Sequence, residues 1–399
     1  MTCGPAVGRA VAIDPAPATA AGLTVEVVDG PAPQWAGLAV DGPLFAAPGW
    51  LRAMDGRLGG RPVTIVVRRG GRPTLAAFAS VQTEHRPGEL FDLHQVVVHP
   101  GRELPLTPRS RELRARLAAT APSPHRWQPS LVIMLPGYEC APVGPDAADP
   151  AAAAALVDGA LRWAAAAGIP TVAALYTRPD AVALAGALAD RGFVRLPLTP
   201  TWDLELPGAG FGDYLAGLPS KRRVEVRREL RRLDLAGVRI DQVDVEDVFD
   251  DLVRLRCQLA GKYRGGRTDP VAERAKLRGI VDEVAGGRPH VLLATAGATV
   301  LGFALFAAHR DTWHCLALGS DYNDPRSRLT YFGAAYYRAA ELAYRHGVRT
   351  IGYGLGAWQA KRSRGCRPVP LAGWVHTAEP DLAATVLAAA GVTELIAFP

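Results

Sequence analysis

YFGAAYYRAAELAYRHGVRTIGYGLGAWQAKRSRGCRPVPLAG, residues 331–373, reads as an amphipathic helix, a Gly break, a strand and a turn rich in Gly, Trp, Lys and Arg. Phe332, Tyr336, Ala339, Ala340 and Ala343 recur at three- and four-residue spacing, with Arg338, Glu341 and Arg345 on the other side. One face of this helix must therefore pack on a sheet. A second copy of the pattern lies earlier in the chain. ALRWAAAAGIPTVAALY, ending at Tyr176, has the helix, Gly and strand order of AAELAYRHGVRTIGYGL, ending at Leu355, with Gly168 and Gly347 in register.

Working outward, GGRPVTIVVRRGGRPTLAAFA from Gly59 and GGRPHVLLATAGATVLGFALF from Gly286 each read as two apolar runs joined by a tight Gly turn, a β-hairpin signal. Two pairs in the same order predict a duplicated domain. The first copy has a longer distance from hairpin to helix, and the Pro- and Arg-rich stretch from about His85 to Trp127 is read as an insertion or long loop. A chain of 399 residues suits about two domains. The expected division is a tail over 1–20, a first domain over 21–206 and a second over 207–399, with PGAGFGD (Pro207 to Asp213) as the joint. In the second copy a basic helix and further helices precede the hairpin, a strand at Trp313 to Leu318, the helix and a strand at Thr350 to Gly354. The fold class this predicts is α/β or α+β: mixed, mostly antiparallel sheets flanked by helices.

The Ala-rich segment after Pro150 is broken by Asp158 and Arg162, so no stretch is long and apolar enough to span a membrane. The N-terminus lacks a basic region followed by an apolar core, which argues against a signal peptide. Cys3, Cys140, Cys257, Cys315 and Cys366 are odd in number and show no CxxC spacing, as expected of reduced thiols in a cytoplasmic protein. Net charge is +6 with pI near 9.2. Nearly all of the excess sits in SKRRVEVRRELRR, Ser220 to Arg232, where seven cations face Glu225 and Glu229.

Together the GLGAWQAKRSRGC turn and the LPSKRRVEVRRELRRLDLAGV segment resemble the GNAT acyltransferase fold, in its duplicated branch of Fem-type aminoacyltransferases and peptidoglycan-biosynthesis-like proteins. The resemblance runs from about residue 25 to 395 and implies two tandem GNAT-like domains. It also implies an amide-forming transfer of an aminoacyl group from aminoacyl-tRNA to an amine of a natural-product or cell-wall-like acceptor. No redox cofactor or metal is implied. An acetyl-CoA or acyl-CoA N-acyltransferase of the same fold is the first alternative, and a non-catalytic double domain that binds a glycan or nucleic acid is the second.

Four lysines stand against 41 arginines, and one of them, Lys361, lies in the turn. A compact ammonium there suits an anionic leaving group or phosphate, and the resemblance puts the matching lysine beside the acyl-transfer centre. A solvated surface lysine is the plainer reading. Gln359 stands where relatives carry Glu, which removes a carboxylate base from the turn. Gln359, Trp358, Tyr353 and Arg364 are the candidate substrate contacts, although Trp358 suits a core plug equally well. Asp321 and Tyr322 fall where the GNAT fold splays its central strands. There they would hold an α-ammonium group and protonate the leaving group, with backbone amides near Gly319 serving the oxyanion. An ordinary turn explains SDYNDP as well.

For RNA, the candidates are Lys221, Arg222, Arg223, Arg227, Arg228 and Arg231. Pairing within the helix, Arg222 and Arg228 with Glu225 and Arg232 with Glu229, is the competing reading. Related CoA enzymes place a Gln or Arg lead and small residues in the loop before the Tyr331 helix, where this chain has Thr330, Gly333 and Ala335. GYGLGA has too little chain after it for a dinucleotide domain. His94 and His99 show no metal-ligand spacing, and neither a nucleophile elbow nor a P-loop is present.

Overall fold

The computed structural model describes residues 22–99, 104–264 and 268–395, so the expected N-terminal tail lies outside the described residues. The strands are β1 (Leu23–Asp29), β2 (Arg61–Arg69), β3 (Arg72–Gln82), β4 (Ser130–Ile133), β5 (Thr171–Thr177), β6 (Val194–Glu205), β7 (Arg239–Val243), β8 (His290–Ala296), β9 (Thr299–His309), β10 (Thr312–Ser320), β11 (Thr350–Gly352) and β12 (Arg367–Thr377). Two compact units emerge, one of residues 1–199 with 370–399 and one of residues 200–369.

The same strand plan is built twice. In the first unit the order is β1-β2-β3-β4-β5-β12, antiparallel except where β4 runs parallel to β5. The second runs β7-β8-β9-β10-β11-β6, antiparallel except for the parallel pair β10 and β11. These are mixed, mostly antiparallel sheets flanked by helices, as the repeated patterns predict. Both anticipated hairpins are present, as β2–β3 and β8–β9.

Each parallel pair is linked by a helix that ends in a left-handed glycine. Pro150–Ala166 ends near Gly168 (φ 68°), and Ala339–Arg345 near Gly347 (φ 69°). A side chain would be strained at that conformation, which is why Gly recurs in both copies. The first helix starts on Asp149, whose carboxylate accepts the Ala151 N–H at 2.8 Å, followed by Pro150 at the first turn. Its alanines let it approach the sheet closely. A Cβ on Gly159 would lie 2.4 Å from Val25 of β1, and Leu156, Val157, Ala160 and Trp163 bury against that face.

Three expectations about the elements change. The His85 to Trp127 stretch is not an open loop: among its described residues are the helices Leu93–Val98 and Pro108–Thr120 and a 3-10 turn at Pro124–Trp127. Of its helical arginines Arg109, Arg111 and Arg116 are exposed, whereas Arg114 is buried. The 331–373 turn does not follow the last strand, because RPVPLAGWVHT forms β12. The chain leaves the first unit inside β6, a few residues before the PGAGFGD joint, and returns inside β12, so residues 370–399 complete the first unit. Composition marked a Gly-rich joint, whereas the actual crossing lies within an apolar strand with no glycine.

Candidate functional site

In the second unit β10 and β11 pair only over Thr312–His314 and Thr350–Gly352. Beyond that β10 continues to Ser320, with a bulge between Cys315 and Ala317, while β11 gives way to the turn. The two strands thus part, which leaves backbone groups and side chains to fill the gap. Lys361 lies there. It is 4% exposed, and its Nζ donates to the carbonyls of Tyr353 (2.9 Å), Gly354 (2.8 Å) and Leu355 (2.7 Å). Burial pushes the neighbouring Cys315 thiol up to about 12, while the Lys361 and Arg256 cations pull it down.

The turn that delivers Lys361 is held in an unusual conformation. Gly354, Gly356 and Ala357 all have positive φ, and the non-glycine Ala357 (φ 51°) opens the short helix Trp358–Ser363. An ammonium beneath three carbonyls offsets the backbone polarity this leaves without ladder partners. Gln359 is exposed and Trp358 half-buried on the outer side of the turn. Tyr353 and Arg364, expected at a substrate, have internal partners. Tyr353 is buried, its hydroxyl donates to the Ala335 carbonyl, and its ring stacks on Tyr336 at 4.5 Å. Arg364 is 2% exposed, forks onto Glu229 at 2.7 and 2.8 Å, and lies 3.7 Å over the Phe332 ring.

Gly319, Asp321 and Tyr322 form a separate network at the end of β10, against the helix Val245–Arg264. A Cβ on Gly319 would come within 2.5 Å of Phe303 and 2.7 Å of Leu255, so glycine lets the helix seat against the strand. Asp321 accepts from Arg254 at 3.2 Å and from the Asn323 N–H at 3.0 Å. Tyr322 is 41% exposed, its N–H donates to Gln258 Oε1, and Lys262 Nζ stands 4.1 Å from its ring centroid. Arg256 bridges Glu273 (2.8 Å) and the Leu318 carbonyl (3.2 Å). The turn reading of SDYNDP holds for the backbone, yet the side chains also meet a polar helix face. Arg254, Gln258 and Lys262 were not anticipated; their four-residue spacing was the available signal.

On the helix Ser220–Leu235, Val226 and Leu233 are buried on one side, while Lys221, Arg227, Arg228, Arg231 and Arg232 are exposed on the other. Arg222 pairs with Glu225 at 2.6 Å, which holds that carboxyl below its usual range. Arg223 donates to the carbonyls of Ala216 and Leu218. The expected pairing of Glu229 with Arg232 does not form, because Glu229 turns inward to Arg364 and the Tyr337 hydroxyl. The five exposed cations make no hydrogen bond or ion pair among the described residues.

The region expected as a donor loop is helical from Ser327, through a π turn at Gly333–Arg338. Thr330, Gly333 and Ala335 are therefore buried helix positions, and a Cβ on Gly333 would press on Ile240 at 2.5 Å. Packing accounts for these small residues. No helix among the described residues is long and apolar enough to cross a membrane.

Comparison with known proteins accords with this architecture. The profile of the FemAB-like family, described as peptidoglycan biosynthesis/recognition, matches residues 124–389, two thirds of the chain. FemX is similar in structure, at 12% identity over 85% of this chain and 93% of its own, with a TM-score of 0.54. A tandem GNAT protein from the clavulanic acid biosynthesis pathway aligns at 14% identity over 89% and 99%, with a TM-score of 0.44. The C-terminal domain of a putative lysylphosphatidylglycerol synthetase from Agrobacterium fabrum aligns at 15% identity over 65% and 80%, with a TM-score of 0.46. No curated protein sequence matches.

Proposed function

The chain belongs to the FemAB-like family and is a transferase of the GNAT fold, and from that premise we propose that it moves an aminoacyl group from aminoacyl-tRNA to an acceptor amine, a small molecule or a cell-wall-like precursor. The observation that carries the donor assignment is the exposed cationic face of the Ser220–Leu235 helix. Five cations without internal partners suit a phosphate backbone, and each phosphate neutralised would steepen the fall of affinity with salt.

In this reading the acceptor nitrogen attacks the ester carbonyl where β10 and β11 part. The C–N bond forms, the C–O bond to the ribose breaks, and the proton lost by the amine passes to the ribose oxygen. We assign the relay of that proton to Tyr322, which is partly exposed just after β10, and substrate contacts to Gln359 and Trp358. Lys361 acts through position, since its donors hold the Tyr353 to Leu355 carbonyls in place. An activated ester asks mainly for orientation, so a carboxylate at position 359 is dispensable.

The test is turnover of the full chain with charged tRNA pools and, separately, with acetyl-CoA, using a panel of amine acceptors. Transfer from charged tRNA, with KM raised and salt dependence flattened by the Arg227→Ala, Arg228→Ala, Arg231→Ala triple variant, is expected. Transfer from acetyl-CoA with none from any charged tRNA would overturn the reading.

A further inference from the structure

Away from the diverging strands, in the first unit, three side chains converge that sequence spacing does not pair. His85 lies in the segment after β3, Asp92 precedes the helix Leu93–Val98, and His94 lies in its first turn. One ligand atom from each lies within 4.8 Å of the others. His85 Nδ1 is 2.9 Å from Asp92 Oδ2, and the His94 ring stands 5.3 Å from that of His85 and 5.2 Å from that of His99.

We propose that His85, Asp92 and His94 bind a divalent cation of the zinc class, with solvent in the fourth position. Two imidazoles and a carboxylate are ligands that zinc accepts, and three protein ligands plus solvent form one of its recurring arrangements. In a tetrahedral site with bonds of about 2.0–2.1 Å, ligand atoms lie roughly 3.3 Å apart, so the 2.9 Å His85–Asp92 pair has to open slightly and any wider separation, all being within 4.8 Å, has to close. The carboxylate is already oriented: the Asp92 side chain is 1% exposed, Oδ2 accepts the Arg86 N–H at 2.8 Å, and Oδ1 accepts the Gln95 N–H at 2.9 Å. Such outer contacts fix a ligand before the metal arrives. Access is also present, because the His85 side chain is 17% exposed. The ion would pin the segment after β3 to the helix that follows it.

The full chain, stripped with chelator and desalted, should take up one equivalent of zinc in titration calorimetry and retain it through a second desalting, with a raised melting temperature. His94→Gln and His85→Asn, each checked for native circular dichroism, should bind at least about 10-fold more weakly. Asp92 is left unchanged because it also caps the helix. Independently of any variant, zinc should protect His85 and His94 of the wild-type chain from diethyl pyrocarbonate, read by peptide mass spectrometry. Absence of stoichiometric uptake, equal uptake by both variants, or unprotected His85 and His94 at saturating zinc would each overturn the assignment.

Discussion

Both units carry a parallel strand pair whose members part, and they close the opening differently. In the first, the chain after β4 folds back and rejoins its neighbours. Leu135 bridges Glu139, Cys140 pairs with Thr177 beyond the β5 ladder, and Val143 bridges Ala76 of β3. Met134, Leu135, Cys140 and Val143 are all buried, and burial pushes the Cys140 thiol up to about 12. In the second, no such return strand is built among the described residues, and an ammonium beneath three carbonyls occupies the opening. A duplicated frame thus has one opening sealed by apolar side chains and backbone pairing, and one kept polar.

The largest effect expected is on the polar filling. Lys361→Met should lower stability by about 3 kcal/mol or more, because three inward carbonyls lose a charged donor, and turnover should fall with it. A chemical melt compared with single-turnover rates checks both. Unchanged stability would show that the three carbonyl contacts do not hold the turn. Next is the tie between the turn and the basic helix. Glu229→Gln leaves Arg364 without its anion, at a cost of about 3 kcal/mol as for other buried pairs with one partner removed. A smaller loss in urea melts would mean that the Phe332 ring and Ser363 carry Arg364 on their own.

Gly319→Ala should cost about 1–3 kcal/mol through overpacking against Phe303 and Leu255. Its effect on turnover should track the displacement of Asp321 and Tyr322. The smallest effect belongs to the sealed opening: Cys140→Ser should change turnover little in protein that remains folded. Cys140, buried and with its thiol raised by that burial, should resist alkylation at neutral pH until the chain unfolds. Rapid labelling of native Cys140 would mean that the first opening is not sealed.

The repeat was legible because helix period, left-handed glycine and strand recur in the same order, and those signals are local. The strand exchange was not: RPVPLAG reads with the Lys361 turn although it opens β12, and nothing in the composition of β6 or β12 says which sheet they join. At the site, Lys361 was visible as a rare residue type, but its burial under carbonyls depends on where the Gly354 to Ala357 turn sends the backbone. Tyr353 and Arg364 drew notice by lying near it, and the fold turned them inward. Glu229 was misread as a neighbour of Arg232 because helical spacing cannot register a buried arginine 135 residues away. Arg254, Gln258 and Lys262 had helical spacing but gained meaning only when β10 ended beside them.

Hydrogen exchange on the full chain, with and without a charged tRNA pool, tests the asymmetry between the two units most directly. Protection should appear over the Ser220–Leu235 helix and over residues 353–363 and 319–322, with residues 134–143 and β5 unchanged. Protection confined to residues 134–143 and β5, with the basic helix and the Lys361 turn unaffected, would contradict it.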